Sequence, residues 1–254
     1  MHDPVKVSII TVVLNNVQHI EDCMNSVIQQ AYKNVEYIII DGGSTDGTID
    51  IIKKYEKQIS MWVSEPDRGI YDAMNKGIIK SNGDIIGILN SDDIFADEKV
   101  IGRVIACFSN TNADTCYGDL VYVDRRDIKK NIRYWKSNSY HKDDFRRGWM
   151  PPHPAFFVKR KIYSKYGGFN LSFPLAADYE LMLRFLYRQE VSTAYIPECL
   201  VKMRTGGSSH PGLLNTCKNM GENYRAWKVN GLSTNPLTFF MKPLFKTLQY
   251  VKMK

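Results

Sequence analysis

Residues 85–93 constrain the fold more than any other stretch of the chain, and they read Ile-Ile-Gly-Ile-Leu-Asn-Ser-Asp-Asp. The apolar run does not alternate with polar residues and is too short to span a membrane, so it predicts a central β-strand covered on both faces. Its two acids then lie where ligands bind in an open α/β sheet, outside the carboxyl ends of the strands. Adjacent carboxylates there suit Mg²⁺ or Mn²⁺. A solvated turn with an N-cap aspartate is the alternative.

Two further strands precede this one. Residues 5–14 are rich in β-branched residues and stop at Asn15-Asn16, which are good turn residues. Apolar residues at helical spacing follow over residues 20–28, and residues 35–40 give a second strand. Strand, helix and strand in this order predict a right-handed parallel unit.

The second strand ends in a glycine-rich turn, residues 41–48, which read Asp-Gly-Gly-Ser-Thr-Asp-Gly-Thr. Neither familiar phosphate motif is present, because Ser44 replaces the third glycine of a dinucleotide fingerprint and Thr48 replaces the lysine of a P-loop. A plain turn in which Thr45 or Asp46 caps the next helix is as reasonable as a nucleotide contact.

A third unit contains a short strand at residues 62–64 and a helix beginning near Ile70, with Arg68 just before it. A cation in that position could meet a diphosphate, although a loop arginine is usually solvated. The Asn15 turn, the turn at residues 41–48 and the Asp92-Asp93 pair should therefore converge on one edge of the sheet. Together they fit a metal-bound nucleoside diphosphate.

Composition indicates an ordinary globular protein of 254 residues, 44% of them apolar. The five cysteines are odd in number and form no C-x-x-C, so we expect no disulfide framework, no zinc site and a reducing compartment. Without a basic and then apolar leader at the N-terminus, a cytoplasmic location is expected.

The positive charge is concentrated in the C-terminal part of the chain. Residues 201–254 hold nine Lys or Arg against one acid, a net charge of +8. Because the whole chain carries +7, residues 1–200 carry −1.

The second half of the chain contains further candidates. Residues 113–124 predict one strand or two strands around Gly118, and residues 132–135 predict another, so mixed strands should join the sheet. His153 stands in a proline-rich loop and could touch the donor phosphate, touch the acceptor or be structural. Asp178 lies in the first turn of a largely buried helix, where it could be a general base or could simply compensate the helix dipole. Residues 201–210 end a strand in a glycine-bearing loop, and residues 213–229 predict a helix.

Four motifs in order identify a resemblance: residues 8–12, the turn at residues 41–48, residues 64–77 and residues 90–93. They resemble family 2 inverting glycosyltransferases, especially members that build bacterial surface polysaccharides, over residues 5–210. The resemblance implies an α/β fold of the GT-A type, in which a Rossmann-like, mainly parallel sheet is flanked by helices, with mixed strands in the acceptor half. It also implies a glycosyltransferase of the hexosyltransferase type.

The same resemblance implies roles for individual residues. Nucleotide-sugar contacts are expected from Thr11, Val13, Asp41, Arg68, Asp92, His153 and Arg204. Asp93, at a strand end outside the core, and His210 are expected to hold Mn²⁺ or Mg²⁺, and Asp178 is the expected general base, ahead of Glu180. The chain departs from the family pattern at Asn90-Ser91, where many members have an acid, and at Leu14, where many have a tyrosine.

The expected function is metal-dependent, inverting transfer from a nucleotide-sugar, with a UDP-sugar as the expected donor, to a hydroxyl of a glycan or lipid-linked acceptor. A catalytically inactive scaffold of a polysaccharide assembly complex and a sugar-phosphate nucleotidyltransferase are the alternatives. Residues 1–110 should bind the donor and residues 111–235 the acceptor within one domain. Residues 236–254 form a basic, apolar tail that could pack on the domain or attach the protein peripherally to an anionic membrane surface. No motif indicates nucleic acid as a partner.

Overall fold

The computed structural model describes residues 4–206 and 213–234, and this part of the chain contains one nine-stranded sheet. The strands are β1 (Val7–Val13), β2 (Val35–Asp41), β3 (Met61–Ser64), β4 (Ile85–Ile88), β5 (Ile94–Phe95), β6 (Thr115–Val123), β7 (Asn131–Trp135), β8 (Phe156–Lys159) and β9 (Thr193–Arg204). The α-helices are α1 (Ile20–Ile28), α2 (Thr48–Lys54), α3 (Ile70–Lys80), α4 (Val100–Thr111), α5 (Arg160–Tyr166), α6 (Ala177–Met182) and α7 (Leu213–Val229). A π-helical segment, Leu183–Arg188, continues α6.

The sheet changes character half-way across. Its order is β3-β2-β1-β4-β8-β6-β9-β5, with β7 paired to β6. The strands from β3 to β4 are all parallel, whereas β8 runs antiparallel to both β4 and β6, and β9 returns parallel to β6. A parallel first half and mixed strands in the second half confirm the predicted α/β architecture.

Strand β4 lies in the middle of this sheet and is covered on both faces, as predicted. Ile86 packs into a core with residues of α3 and α6, while Ile85 packs into a second core with residues of α1 and α4. The next residue, Gly87, must lack a side chain, because a Cβ atom there would lie 2.5 Å from the ring of Phe157 on the neighbouring strand. The apolar run therefore carries its carboxylates to the functional edge from the most buried part of the fold.

The region around Gly118 forms one strand rather than two. Strand β6 stays paired with β9 through it, but the register shifts on either side of Asp119. A Cβ atom on Gly118 would lie 2.4 Å from Leu200 Cγ, so the glycine permits close approach of the two strands. A bulge thus stands where the sequence also allowed a turn.

Two of the predicted features, His210 and the tail at residues 236–254, lie outside the described residues. Within residues 4–206 and 213–234, every helix is too short or too polar to cross a bilayer.

Candidate active site

Three turns meet at one edge of the sheet, as the sequence predicted. The Asn15 backbone N–H donates to Ser44 Oγ at 2.7 Å, and the Thr45 N–H donates back to Asn15 Oδ1 at 2.8 Å. Asn16 Nδ2 donates to Ser91 Oγ at 2.9 Å, which joins the first turn to the acidic loop. Asn15 has a φ of 50°, a left-handed conformation that asparagine tolerates well. The turns are therefore held together by side-chain bonds before any ligand arrives.

Asp41 shapes the second of these turns. Its buried carboxylate accepts hydrogen bonds from the backbone N–H groups of Gly43 and Ser44, at 3.0 and 2.9 Å, and from the Ser64 hydroxyl at 2.6 Å. The side chains of Thr11 and Val13 are also buried, and the Val13 carbonyl accepts from the Gly42 N–H at 2.8 Å. Because these side chains are buried, a nucleotide would contact the backbone of the turn rather than the side chains themselves. Their contacts with the nucleotide-sugar stay predictions.

The side chain of Asp67 packs closely against Gly42. A Cβ atom there would lie 2.5 Å from Asp67 Oδ2 and 3.5 Å from Leu14 Cδ1, so glycine permits this close approach of Asp67. Leu14 is 56% exposed, which makes it an apolar wall at the mouth of the turn. Arg68, next to Asp67, is exposed and forms a 3.1 Å ion pair with Asp72. The mouth of the turn thus presents an apolar, an acidic and a cationic side chain next to one another.

The two carboxylates of the acidic loop differ in environment. Asp92 is half-buried, whereas Asp93 is only 1% exposed, so the expectation that Asp93 lies outside the core is wrong. Its oxygens accept long hydrogen bonds, both 3.3 Å, from the Arg204 backbone N–H and from Asn90 Nδ2. Burial and the negative charge of Asp92 raise the pKa of Asp93 well above its usual value.

A divalent cation would suit this loop chemically. The Asp93 carboxylate is buried against another acid, and the buried Asn90 Oδ1 has no hydrogen-bond partner among the described residues. A bound cation would offset both costs. In the described part of the chain no three His, Cys, Asp or Glu side chains form a metal-binding group. Mg²⁺, however, is usually held by one or two carboxylates together with substrate phosphates.

Arg204 holds the acidic loop in position through hydrogen bonds. Its side chain is almost fully buried, with Nη1 donating to the Asp92 carbonyl at 2.7 Å and Nη2 paired with Asp22 of α1 at 2.5 Å. Only its Nε atom, buried and without a partner in the described residues, is uncommitted. The observed bonds fix the position of the loop. The predicted contact of Arg204 with the donor remains a prediction.

Asp178, the second residue of α6, is contacted by two side chains from different parts of the chain. The distance from Asp178 Oδ2 to His153 Nδ1 is 3.2 Å, and the Tyr71 hydroxyl donates to Asp178 Oδ1, also at 3.2 Å. Burial and the adjacent Asp178 charge raise the pKa of Tyr71, so the phenol stays protonated and donates. The Asp178 side chain keeps 16% of its surface exposed, so part of the carboxylate can still meet a ligand.

Glu180, the other acid of this helix, is committed elsewhere. Its buried carboxylate forms two bonds to Arg184, Nε to Oε1 at 2.9 Å and Nη2 to Oε2 at 3.0 Å, and it accepts from Asn230 Nδ2 at 3.0 Å. This bonding leaves Asp178 as the better placed of the two acids for contact with an acceptor.

Comparison with known proteins identifies the family. The sequence model of glycosyl transferase family 2 matches residues 8–167. The chain belongs to this family. It is a glycosyltransferase, and sugar transfer is therefore its reaction class.

Relatives agree with this assignment. An uncharacterized glycosyltransferase of Mycobacterium tuberculosis is 30% identical over 236 residues, which cover 89% of this chain and 86% of that protein. A PGL/p-HBAD biosynthesis glycosyltransferase of Mycobacterium bovis is 27% identical over 213 residues, covering 82% and 79% of the two chains.

Solved structures support the GT-A fold. Residues 1–349 of Staphylococcus aureus TarS superpose with a TM-score of 0.72 at 15% identity, over 98% of this chain and 75% of that one. The Pyrobaculum calidifontis mannosyltransferase PcManGT, solved with GDP-Man and Mn²⁺, gives a TM-score of 0.64 at 15% identity, over 98% and 70% of the chains. The predicted GT-A architecture of this glycosyltransferase is confirmed.

Sequence reasoning missed three residues of the glycosyltransferase site. Asp22 anchors Arg204, Tyr71 contacts Asp178, and Glu222 of α7 accepts the Leu175 and Ala176 N–H groups at 2.9 Å each, just before α6. A tyrosine in the first turn of a helix at the functional edge was a usable signal for Tyr71. Asp22 and Glu222 had no local signal, because their partners are distant in sequence.

Proposed function

We propose that this glycosyltransferase transfers a sugar from a UDP-sugar, with inversion, to a hydroxyl of a glycan or lipid-linked acceptor in surface polysaccharide synthesis. The observation that carries the proposal is the Asp178 carboxylate, partly exposed at the start of α6, with a hydrogen bond from Tyr71 to one oxygen and His153 in contact with the other. The M. bovis relative named for PGL/p-HBAD biosynthesis supports a role in glycan synthesis, and a TarS structure with UDP-GlcNAc supports a UDP-sugar donor.

The chemistry needs one base and no covalent intermediate. The acceptor oxygen forms a bond to the anomeric carbon on the face opposite the leaving nucleoside diphosphate, while the bond from that carbon to the diphosphate oxygen breaks. Asp178 takes the proton of the acceptor hydroxyl as it attacks. Glu180 cannot easily serve, because both of its oxygens are bonded to Arg184.

Asp93, with Asp92 beside it, would hold Mn²⁺ or Mg²⁺, and His210 is the further ligand that the sequence offers. When bound, the cation would stabilise the negative charge that develops on the leaving diphosphate. The chain's own groups do the rest: the turns around Gly42 receive the nucleoside, and Arg204 keeps the acidic loop in place.

The division of labour follows the sheet. We assign donor binding to residues 1–110 and acceptor binding to residues 111–235, because the parallel strands and their turns belong to the first segment and Asp178 to the second. A lipid-linked acceptor would bring the enzyme to the inner face of the cell membrane, with residues 236–254 as the basic segment available for that surface.

A donor panel tests the proposal. The full chain is mixed with Mn²⁺ and, separately, UDP-glucose, UDP-galactose, UDP-GlcNAc or GDP-mannose, and both the melting temperature and the release of nucleoside diphosphate are followed. We expect UDP-sugars to raise the melting temperature and to be hydrolysed slowly. Asp178→Asn should keep the thermal shift and lose release by about 10²-fold. A response to GDP-mannose alone would refute the donor class, and no response to any donor would refute the proposal.

A further inference from the structure

We propose that Tyr71 and His153 are positioning residues: Tyr71 donates a hydrogen bond to one oxygen of the Asp178 carboxylate and so ties the base to α3, and His153 contacts the other oxygen. The inference rests on the proposed function, since it takes Asp178 as the base. It assigns a role to a tyrosine for which the sequence analysis gave none and a definite role to a histidine whose role the sequence left open.

The contacts fix the plane of the carboxylate. Tyr71 reaches Asp178 Oδ1 and His153 Nδ1 reaches Asp178 Oδ2, both at 3.2 Å. A carboxylate held at one oxygen can still rotate about its side-chain torsions, whereas the Tyr71 hydrogen bond on one oxygen and the His153 contact on the other together restrict that rotation. Each oxygen has two lone pairs, so one on each remains for a substrate hydroxyl.

Both donors are themselves held rigidly. The ring of Tyr71 stacks on Phe169 with centroids 5.3 Å apart and an interplanar angle of 27°, and its hydroxyl also lies 3.3 Å from the Leu175 carbonyl. His153 begins a short 3-10 turn, His153–Ala155, between two buried prolines, and its side chain is one-third exposed. Packing thus places the two donors independently of Asp178, as preorganisation requires.

The position of Tyr71 links the two halves of the enzyme. It is the second residue of α3, and the preceding turn contains Arg68, whose backbone N–H and guanidinium both bond to Asp72 in that helix. Asp178 is 107 residues further along the chain. The first turn of α3 is therefore bonded both to Arg68, the candidate contact for the diphosphate, and to Asp178, the proposed base.

The test of Tyr71 uses loss of one hydroxyl. Hydrolysis of the UDP-sugar that responds in the donor panel is measured, with water in place of the acceptor. Tyr71→Phe keeps the ring stack, so we expect an unchanged melting temperature and donor Kd, with turnover reduced about tenfold by the misplaced base. Tyr32→Phe is the matched control, since its hydroxyl also donates to a carbonyl, that of Val5, at the other end of the sheet. Its turnover should equal that of the wild type.

A double-mutant cycle separates positioning from general structural damage. If Tyr71 acts through Asp178, then adding Tyr71→Phe to Asp178→Asn should cause no further loss of the residual turnover. A full tenfold loss in the Asp178→Asn background would overturn the inference. Wild-type turnover in Tyr71→Phe itself would overturn it equally.

His153 needs a variant that keeps its donor. The amide nitrogen of His153→Asn can replace Nδ1, so this variant should retain most of the turnover, whereas His153→Ala should lose about tenfold or more. Equal loss in both variants would overturn the positioning role of His153. These outcomes are read only relative to an active wild type. Failure of the wild type to hydrolyse any donor is the separate failure of the proposed function.

Discussion

Three aspartates of this enzyme show how bonding partners separate structural acids from chemical ones. Asp41 is buried, but four hydrogen-bond donors satisfy its carboxylate, so it stabilises a turn. Asp93 is equally buried with two long bonds, and the pKa of its carboxyl is raised by burial and by Asp92. Asp178 is well oriented and partly open. The poorly satisfied acid is the one suited to a cation, and the oriented, open acid is the one suited to a proton.

The first prediction concerns Asp93. Asp93→Asn keeps the size of the side chain and removes a charge that is costly to bury beside Asp92. We therefore expect its melting temperature in a chelator to equal or exceed that of the wild type, while the rise caused by Mn²⁺ and UDP together disappears. Differential scanning fluorimetry measures both values. Asp50→Asn, at an exposed position on α2, is the control and should keep the rise. A full Mn²⁺-dependent rise in Asp93→Asn would remove Asp93 from the proposed metal site.

At the scale of elements, one glutamate joins the strand starts at the edge opposite the active site. Glu36 of β2 is buried and accepts hydrogen bonds from Ser8 of β1 at 2.5 Å, from the Asn82 N–H before β4 at 2.7 Å and from Lys6 at 3.1 Å. Burial alone would raise the pKa of Glu36, but these bonds outweigh it and lower the pKa. Glu36 thus links the first residues of three parallel strands, and the opposite ends of these strands form the site.

This pKa shift predicts a pH-dependent stability. Because the pKa of Glu36 is lower in the folded than in the unfolded chain, its contribution is present above the unfolded value, about 4.3, and is lost as the pH falls through the folded value. Glu36→Gln should cost about 1–3 kcal/mol at pH 7, and the difference from the wild type should shrink below about pH 4. Urea titrations across this range measure it. Glu98→Gln, an exposed control, should show neither effect, and a pH-independent difference for Glu36→Gln would contradict the argument.

Elements were predictable from sequence where periodicity is local. The predicted strands at residues 5–14 and 35–40 and the helix near Ile70 are β1, β2 and α3, because apolar spacing alone determines their buried faces. The insertion of β8 between β4 and β6 was not predictable, since pairing partners depend on tertiary packing. The same limit applies to the site. The convergence of three turns followed from topology, but the contact of Tyr71 with Asp178 depends on two helices that only the folded sheet brings together.

At the scale of the molecule, the net positive charge is concentrated at the C-terminal end of the chain, where a lipid-linked acceptor would favour contact with a membrane. Residues 1–200 are nearly neutral, and residues 201–254 carry a net +8. Residues 236–254 contain four lysines, no acid and nine large apolar side chains, and they lie outside the described residues. Such a segment can place its apolar side chains among acyl chains and its lysines at anionic head groups. A terminal helix packed on the domain and kinked at Pro243 is the competing structure.

The final prediction decides between these two structures. Each lysine near an anionic surface contributes about 1 kcal/mol, so four of them should give reversible, salt-sensitive attachment. We expect the full chain to co-sediment with phosphatidylserine-containing vesicles at low salt, to be released at high salt, and not to sediment with neutral vesicles.

A chain ending at Asn235 should stay in the supernatant with an unchanged melting temperature, because a tail in the membrane contributes nothing to the core. Replacing Lys242, Lys246, Lys252 and Lys254 by Gln should release the protein without truncation. Equal sedimentation of the full and shortened chains, or a lower melting temperature on truncation without any vesicle binding, would place the tail on the domain instead.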